Sequence, residues 1–215
     1  MKNNNVIDVR EVINGPKISG FQKLVVFFCF AIIAIDGFDV VVMGLAAPQI
    51  MQEWGVSAKE LGPVLSAALF GLSIGALVAG PLADKFGRKA VLVASVLFFG
   101  VFTVITAFSQ DITHLVIYRF LTGLGLGAAA PNAATLSAEY APERRRAFFV
   151  TLAYCGFSLG AAAGGFVAAW MIPAFGWRSV ILLGGMLPLV LLPFMIWKMP
   201  ESLSFLVAKN AAAAK

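Results

Sequence analysis

The chain has 215 residues, 60% of them hydrophobic and 13% charged, with 21 glycines and a mean hydropathy of +0.90. Soluble domains carry about 25% charged residues, so the composition excludes an ordinary soluble enzyme and places the chain in a membrane. The net charge of +5 admits an anionic partner, but two cysteines in apolar stretches, Cys29 and Cys155, and a lone His114 leave neither a disulfide framework nor a metal-ligand spacing.

The first twenty residues are polar and mixed in charge. No small-residue cleavage site follows the first apolar run, which therefore reads as a retained helix and not as a secretory signal. That first span, roughly Leu24–Ile50, holds Ile35-Asp36-Gly37-Phe38-Asp39 within otherwise uncharged sequence. A carboxylate at such depth costs about 2.5–3.5 kcal/mol on insertion scales. Two of them nearly one turn apart and close to one helix face point to ion or substrate handling. Gly37 removes bulk between them and permits local bending. Phe38 is a candidate for lining a cavity, set against the plainer reading of a packed or lipid-facing ring.

Five further spans follow, roughly Leu61–Ala83, Ala90–Phe108, Thr113–Ser137, Ala147–Met171 and Ser179–Trp197. Each has about the length needed at 1.5 Å per residue to cross a core of roughly 30 Å, and none alternates as a barrel strand would. Glycines recur every fourth residue as Gly71/Gly75 in span two, Gly123/Gly127 in span four and Gly156/Gly160/Gly164 in span five. That spacing puts each ladder on one face, where helix backbones pack closely. Span four also carries Arg119, Asn132 and, near its end, Glu139; span five carries Tyr154. Asn132 and Tyr154 are candidates for a cavity lining. Glu139 either joins the arginines of the following loop in a gating network or is a solvated interfacial carboxylate.

The loops fix an orientation. Lys2, Arg10, Lys17 and Lys23 precede span one; Lys85, Arg88 and Lys89 follow span two; Arg144, Arg145 and Arg146 follow span four; Lys198, Lys209 and Lys215 follow span six. Thirteen of the sixteen basic residues thus fall on one side, while the opposite loops hold only Lys59 and Arg178. By the positive-inside rule both ends of the chain are expected to be cytoplasmic. The same asymmetry accounts for the basic balance without nucleic acid.

Depth then relates the intramembrane charges. Asp36 lies about twelve residues, or roughly 18 Å, from the cytoplasmic start of span one, and Arg119 about 9 Å below the opposite surface. On a core of roughly 30 Å the three charges Asp36, Asp39 and Arg119 fall at similar depth. An Asp–Arg pair lessens the insertion cost of both partners, and an unpaired second Asp can hold or release a proton. A purely structural ion pair between spans one and four is the alternative. The six spans read as two sets of three, the pattern of one half of a twelve-helix transporter built from three-helix repeats.

Several motifs carry a family resemblance. Gly80-Pro81-Leu82-Ala83-Asp84-Lys85-Phe86-Gly87-Arg88-Lys89 resembles the signature between spans two and three of the major facilitator superfamily, with every fixed position filled. Arg119-Phe120-Leu121-Thr122-Gly123-Leu124-Gly125-Leu126-Gly127 is similar to its span-four motif, and Pro200-Glu201-Ser202 to its ending after span six. Asp36-Gly37-Phe38-Asp39, Leu61-Gly62-Pro63-Val64-Leu65-Ser66-Ala67-Ala68 and Pro131-Asn132-Ala133-Ala134-Thr135 with Glu139-Tyr140 resemble the aromatic acid:H⁺ symporter family. In span five, Gly160-Ala161-Ala162-Ala163-Gly164-Gly165 lacks the proline of the superfamily's antiporter element, which favours symport.

The resemblance implies an all-α membrane protein of two inverted three-helix repeats. Residues 1–23 would be a cytoplasmic segment, 24–199 the six-helix bundle, and 200–215 the start of a cytoplasmic linker to a second, absent six-helix half. It implies a bacterial inner-membrane symporter that imports small aromatic carboxylates such as 4-hydroxybenzoate or protocatechuate. The coupling ion is the proton, and no cofactor or metal is expected. Asp36, Asp39 and Arg119 would serve proton coupling, and Phe38, Asn132 and Tyr154 the substrate cavity. Gly80, Asp84, Gly87, Arg88, Glu139 and Arg144 would serve conformational gating. Rival readings are a transporter for a sugar or dicarboxylate and a membrane receptor or scaffold that does not transport. An enzyme has no support, since no nucleophile–base set, metal spacing or phosphate loop is present.

Overall fold

Polar caps and left-handed glycines punctuate the apolar runs. The computed structural model describes residues 13–15 and 18–213, so Lys2, Arg10, Lys17 and Lys215 lie outside the described residues. Six long helices follow: α1 (Gly20–Trp54), α2 (Ala58–Phe86), α3 (Arg88–Thr106), α4 (Ile112–Tyr140), α5 (Arg146–Phe175) and α6 (Trp177–Lys198), with a shorter α7 (Leu203–Ala213) after them. All six long helices are long and apolar enough to cross a membrane, and no strand occurs among the described residues. Each contains its expected span and extends it by a few residues, except at α3. There the helix stops at Thr106 because Ala107 and Phe108 form a turn before Asp111 caps α4.

The starts are side-chain caps. Ser19 and Gln22 form a reciprocal capping box at α1, and Ser57 and Glu60 do so at α2. Gln22 is also a tertiary strut, since its side-chain amide donates to the carbonyl of Tyr140 at the end of α4 (3.0 Å). The stops use Gly55, Gly87 and Gly176, the positive-φ residues among those described. Gly87 and Gly176 each turn one helix directly into the next, α2 into α3 and α5 into α6. That matching punctuation is what two three-helix units predict.

The packing carries the same symmetry. The closest pairings are α1 with α5 and α2 with α4, so each three-helix unit sends its second helix against the first helix of the other. Both seams rest on the glycine ladders. A Cβ on Gly71 or Gly75 would meet the α4 backbone at Phe120 and Leu124, and one on Gly123 or Gly127 would meet α2 at Ala68 and Leu72. In the other seam Gly156 and Gly160 abut Phe30 and Ala34, and Gly37 abuts Phe157. Such approach is how transmembrane helices gain packing where lipid supplies no hydrophobic drive.

The apolar core has two parts. One lies toward the basic end, around Phe28, Ile32, Leu92, Phe99, Leu136 and Met195. The other lies toward the opposite end, around Phe38, Met43, Ile50, Leu115 and Trp177. At that opposite end Trp177 Nε1 donates to Glu53 (2.8 Å), and Arg178 pairs with the same carboxylate while lying over the Trp177 ring. The start of α6 is thereby tied to the end of α1. Helices α2 and α5 present open apolar faces, with Leu69, Phe70 and Leu77 on one and Leu159, Phe166 and Trp170 on the other.

Candidate functional site

The charged site forms where the two core clusters meet, between α1 and α4. Arg119 projects from α4 and donates through Nη1 to Asp39 Oδ1 of α1 at 2.9 Å. Its Nη2 lies 2.8 Å from Asp39 Oδ2, an ion pair without hydrogen-bond alignment. Both partners are buried, Asp39 at 5% and Arg119 at 3% exposure. A buried pair of this kind depends on both members, because removing one strands a charge at a cost of about 3–5 kcal/mol.

Asp36 is buried too, at 7% exposure, but among the described residues it accepts no hydrogen bond and pairs with no cation. The similar depth of the three charges in sequence is therefore resolved into one pair and one separate carboxylate. More polar atoms without partners lie on the same helices and on α3: Arg119 Nε, Thr122 Oγ1 and Thr103 Oγ1. The threonines had no distinctive pattern in the sequence. A threonine hydroxyl on a helix commonly returns to its own backbone, and only burial without such a bond singles these two out.

The three cavity candidates separate. Tyr154 stands half-exposed on α5. Phe38 does not face open space; its ring packs inside the core beside Gly164 and Gly184. Helical geometry puts Phe38 on a different face of α1 from the aspartates flanking it, and the glycines of α5 and α6 leave the hole it fills. Asn132 is also interior, at 2% exposure, with its side-chain amide donating to the carbonyl of Ala128 in its own helix (2.8 Å).

A second polar cluster closes the basic end. Glu139 at the end of α4 is no solvated interfacial carboxylate: it pairs with Arg88 Nε at 3.4 Å and accepts from Ser202 Oγ (2.7 Å) and the Leu203 amide (3.0 Å). Its arginine comes from the α2–α3 junction and not from the loop after α4. Glu201 Oε1 accepts the Lys89 amide of α3 at 2.9 Å, and Tyr140 donates its hydroxyl to the Glu201 carbonyl at 2.7 Å. The Glu201 carboxylate occupies the space that a Cβ on Gly87 would need. Gly87 has no side chain to cap α3, so a glutamate from beyond α6 performs that capping from a distance. Asp84 is exposed and makes no ion pair among the described residues, Gly80 faces open space, and Arg144 donates weakly to the Gly15 carbonyl. The structure thus joins Arg88 with Glu139 and leaves Asp84 and Arg144 outside that cluster. Glu201, Ser202 and Tyr140 complete it, residues the sequence marked only as parts of motifs.

The same chain can be set beside known proteins. It is 52% identical to the 4-hydroxybenzoate transporter PcaK of Acinetobacter baylyi over 209 residues, which covers 97% of this chain and 46% of that protein. It is 49% identical to the gallate transporter of Pseudomonas putida over 97% of its own length and 46% of the relative. The chain spans about half the length of the curated relatives it matches. In fold it is similar to the inward-open xylose transporter XylE from E. coli, with a TM-score of 0.75 and 21% identity over 88% of this chain and 50% of that one. A model of the Major Facilitator Superfamily matches residues 28–214. With six membrane-length helices in this arrangement, the chain is a multi-pass membrane protein and belongs to the Major Facilitator Superfamily.

Proposed function

We propose that this chain is the N-terminal half of a proton-coupled symporter that imports small aromatic carboxylates, 4-hydroxybenzoate or protocatechuate among them, into a bacterial cell across its inner membrane. The substrate class rests on the named activities of relatives about half identical to the chain, a 4-hydroxybenzoate and a gallate transporter. Both ends of the chain lie in the cytoplasm on the strength of the basic loops. Transport proceeds by alternating access, with two six-helix halves rocking about a site near the midplane.

The observation that carries this reading is the buried Asp39–Arg119 pair with a second, unpaired carboxylate beside it on the same helix. A receptor or scaffold has no use for that expense at membrane depth. Asp36, Asp39 and Arg119 together form the proton-coupling site. Tyr154 faces the cavity shared with the second half, and Phe38 and Asn132 act from behind it by setting the shape of α1 and α4. Arg88 and Glu139, with Gly87 and the Glu201 carboxylate, form the cytoplasmic cluster that opens and closes with the halves. Gly80, Asp84 and Arg144 serve the contact with the second half. The test uses the full-length protein in cells: Asp36→Asn and Asp39→Asn each abolish proton-driven accumulation of labelled 4-hydroxybenzoate while membrane insertion persists. Normal accumulation in both variants sinks the coupling assignment, and competition of uptake by a sugar or dicarboxylate but not by aromatic acids sinks the substrate class.

A further inference from the structure

Asp36 and Asp39 are three residues apart on α1, yet their surroundings are unlike. Both oxygens of Asp39 lie within 2.9 Å of the Arg119 guanidinium, so its carboxylate is already occupied by a fixed cation. Asp36 Oδ1 is buried and accepts from nothing. Its electrostatic partners are Asp39 on its own helix and Arg119 from α4. The other helices packed on α1 add little. In the membrane-depth stretches, α2 and α6 have no ionisable side chain, and α5 has only Tyr154 and Cys155, both exposed. His114 and Tyr118 of α4 stand nearer the outer end, where His114 is bonded to Asp111. Among the described residues, the other carboxylate at this depth is Asp39, and its two oxygens are held by Arg119.

Resting on the proton-coupled reading above, we propose that Asp36 alone takes up and releases the coupling proton, while Asp39 remains the fixed counter-ion of Arg119. A proton from the outer water forms an O–H bond on an Asp36 carboxylate oxygen; the same bond breaks when the site opens inward, and the proton passes to cytoplasmic water. No other group changes its protonation. Release leaves a second carboxylate within electrostatic reach of the Arg119 guanidinium, whose Nε–H has no acceptor among the described residues, so the charge on Asp36 is felt at the tie between α1 and α4. Gly37, adjacent in sequence, seats α1 on the Phe157 carbonyl of α5, so Asp36 sits at a pinned point of its helix. The state of one carboxylate is thereby placed where α1 meets both of its main packing partners.

The test uses the full-length protein in proteoliposomes, with two readouts: substrate accumulation under an imposed pH gradient, and exchange of labelled for unlabelled 4-hydroxybenzoate, which needs no net proton movement. Asp36→Asn is expected to bring the accumulation ratio to unity and to make the exchange rate independent of pH. Asp39→Asn strands Arg119 and is expected to slow exchange itself about tenfold or more. The double variant Asp39→Asn/Arg119→Gln removes the stranded charge and is expected to exchange substrate faster than Asp39→Asn alone; exchange no faster than in the single variant overturns the counter-ion role of Asp39. Accumulation by Asp36→Asn, or loss confined to coupling in Asp39→Asn, overturns the assignment. Should Asp36→Asn fail to insert, Asp36→Glu decides: a displaced pH midpoint of accumulation supports the proposal, and an unmoved one overturns it. The underlying reading fails separately, when the unmodified protein moves substrate without proton uptake.

Discussion

Gly87 is held by two independent constraints. Its φ of 95° and ψ of 147° lie in a region open to glycine almost alone. The space of its missing side chain is filled by the Glu201 carboxylate, which caps α3. Gly176 turns α5 into α6 with a similar backbone, φ 79°, but nothing stands within 4 Å of a Cβ there. Gly87→Ala is therefore expected to cost more than Gly176→Ala, the shared backbone strain being about 1–3 kcal/mol. Adding Glu201→Ala to Gly87→Ala should cost less than the two losses taken singly, with a coupling of about 0.5–3 kcal/mol. Thermal unfolding of the four variants in detergent measures this; strict additivity would mean that Glu201 does not press on Gly87. The sequence marked Gly87 as a motif position and Arg119 as a charge needing a partner, because both signals are local. It did not choose between Asp36 and Asp39, since a three-residue offset is nearly one helical turn and leaves both carboxylates close to one face of α1. Nor did it reveal the distant glutamate that caps α3, which only the tertiary fold brings there.

Among the helices, the glycine ladders were legible from spacing and the partners they meet were not. Four-residue spacing marks a face, but the pairing of α1 with α5 and of α2 with α4 skips over sequence neighbours. It follows from the repeat: two like units, each unable to cover its own first helix, exchange second helices. Phe38 shows the limit of such reasoning. Its place between two aspartates makes it a candidate for lining a cavity beside the plainer reading of a packed ring, and Gly164 and Gly184 open the pocket in the core that receives its ring. The ladder makes a sharp contrast available on α5. Gly160 faces the Ala34 backbone, and its neighbour in the ladder region, Gly165, faces open space. Gly160→Val is expected to lower stability by about 1–3 kcal/mol, as overpacking does, or more, since the obstructing atoms are backbone. Gly165→Val should be close to neutral. Expression and melting temperature in detergent distinguish them, and equal effects would show that helix propensity, not the α1–α5 seam, governs this helix.

For the molecule as a whole, the arrangement of charge decides which way the bundle lies. The basic residues gather at the end where α2 meets α3, where α4 meets α5, and after α6; at the other end the described cations are Lys59 and Arg178, and Arg178 is already paired with Glu53. Excess Lys and Arg hold short loops on the cytoplasmic side during insertion, so the end bearing Glu53, Gln110 and Arg178 should face outward. Two exposed positions report on this, Gln110 in the α3–α4 turn and Ser204 in α7. In the full-length protein with Cys155→Ser as background, and with Cys29 buried, a membrane-impermeant maleimide should label Gln110→Cys in intact cells. It should label Ser204→Cys only after lysis. The reverse pattern would invert the topology and place the Arg88–Glu139 cluster on the outer side, where it could not respond to the cytoplasmic opening of the site. The pattern expected here puts that cluster inside and the Asp39–Arg119 tie nearer the outer surface, so one rocking motion of the half acts on both in opposite senses.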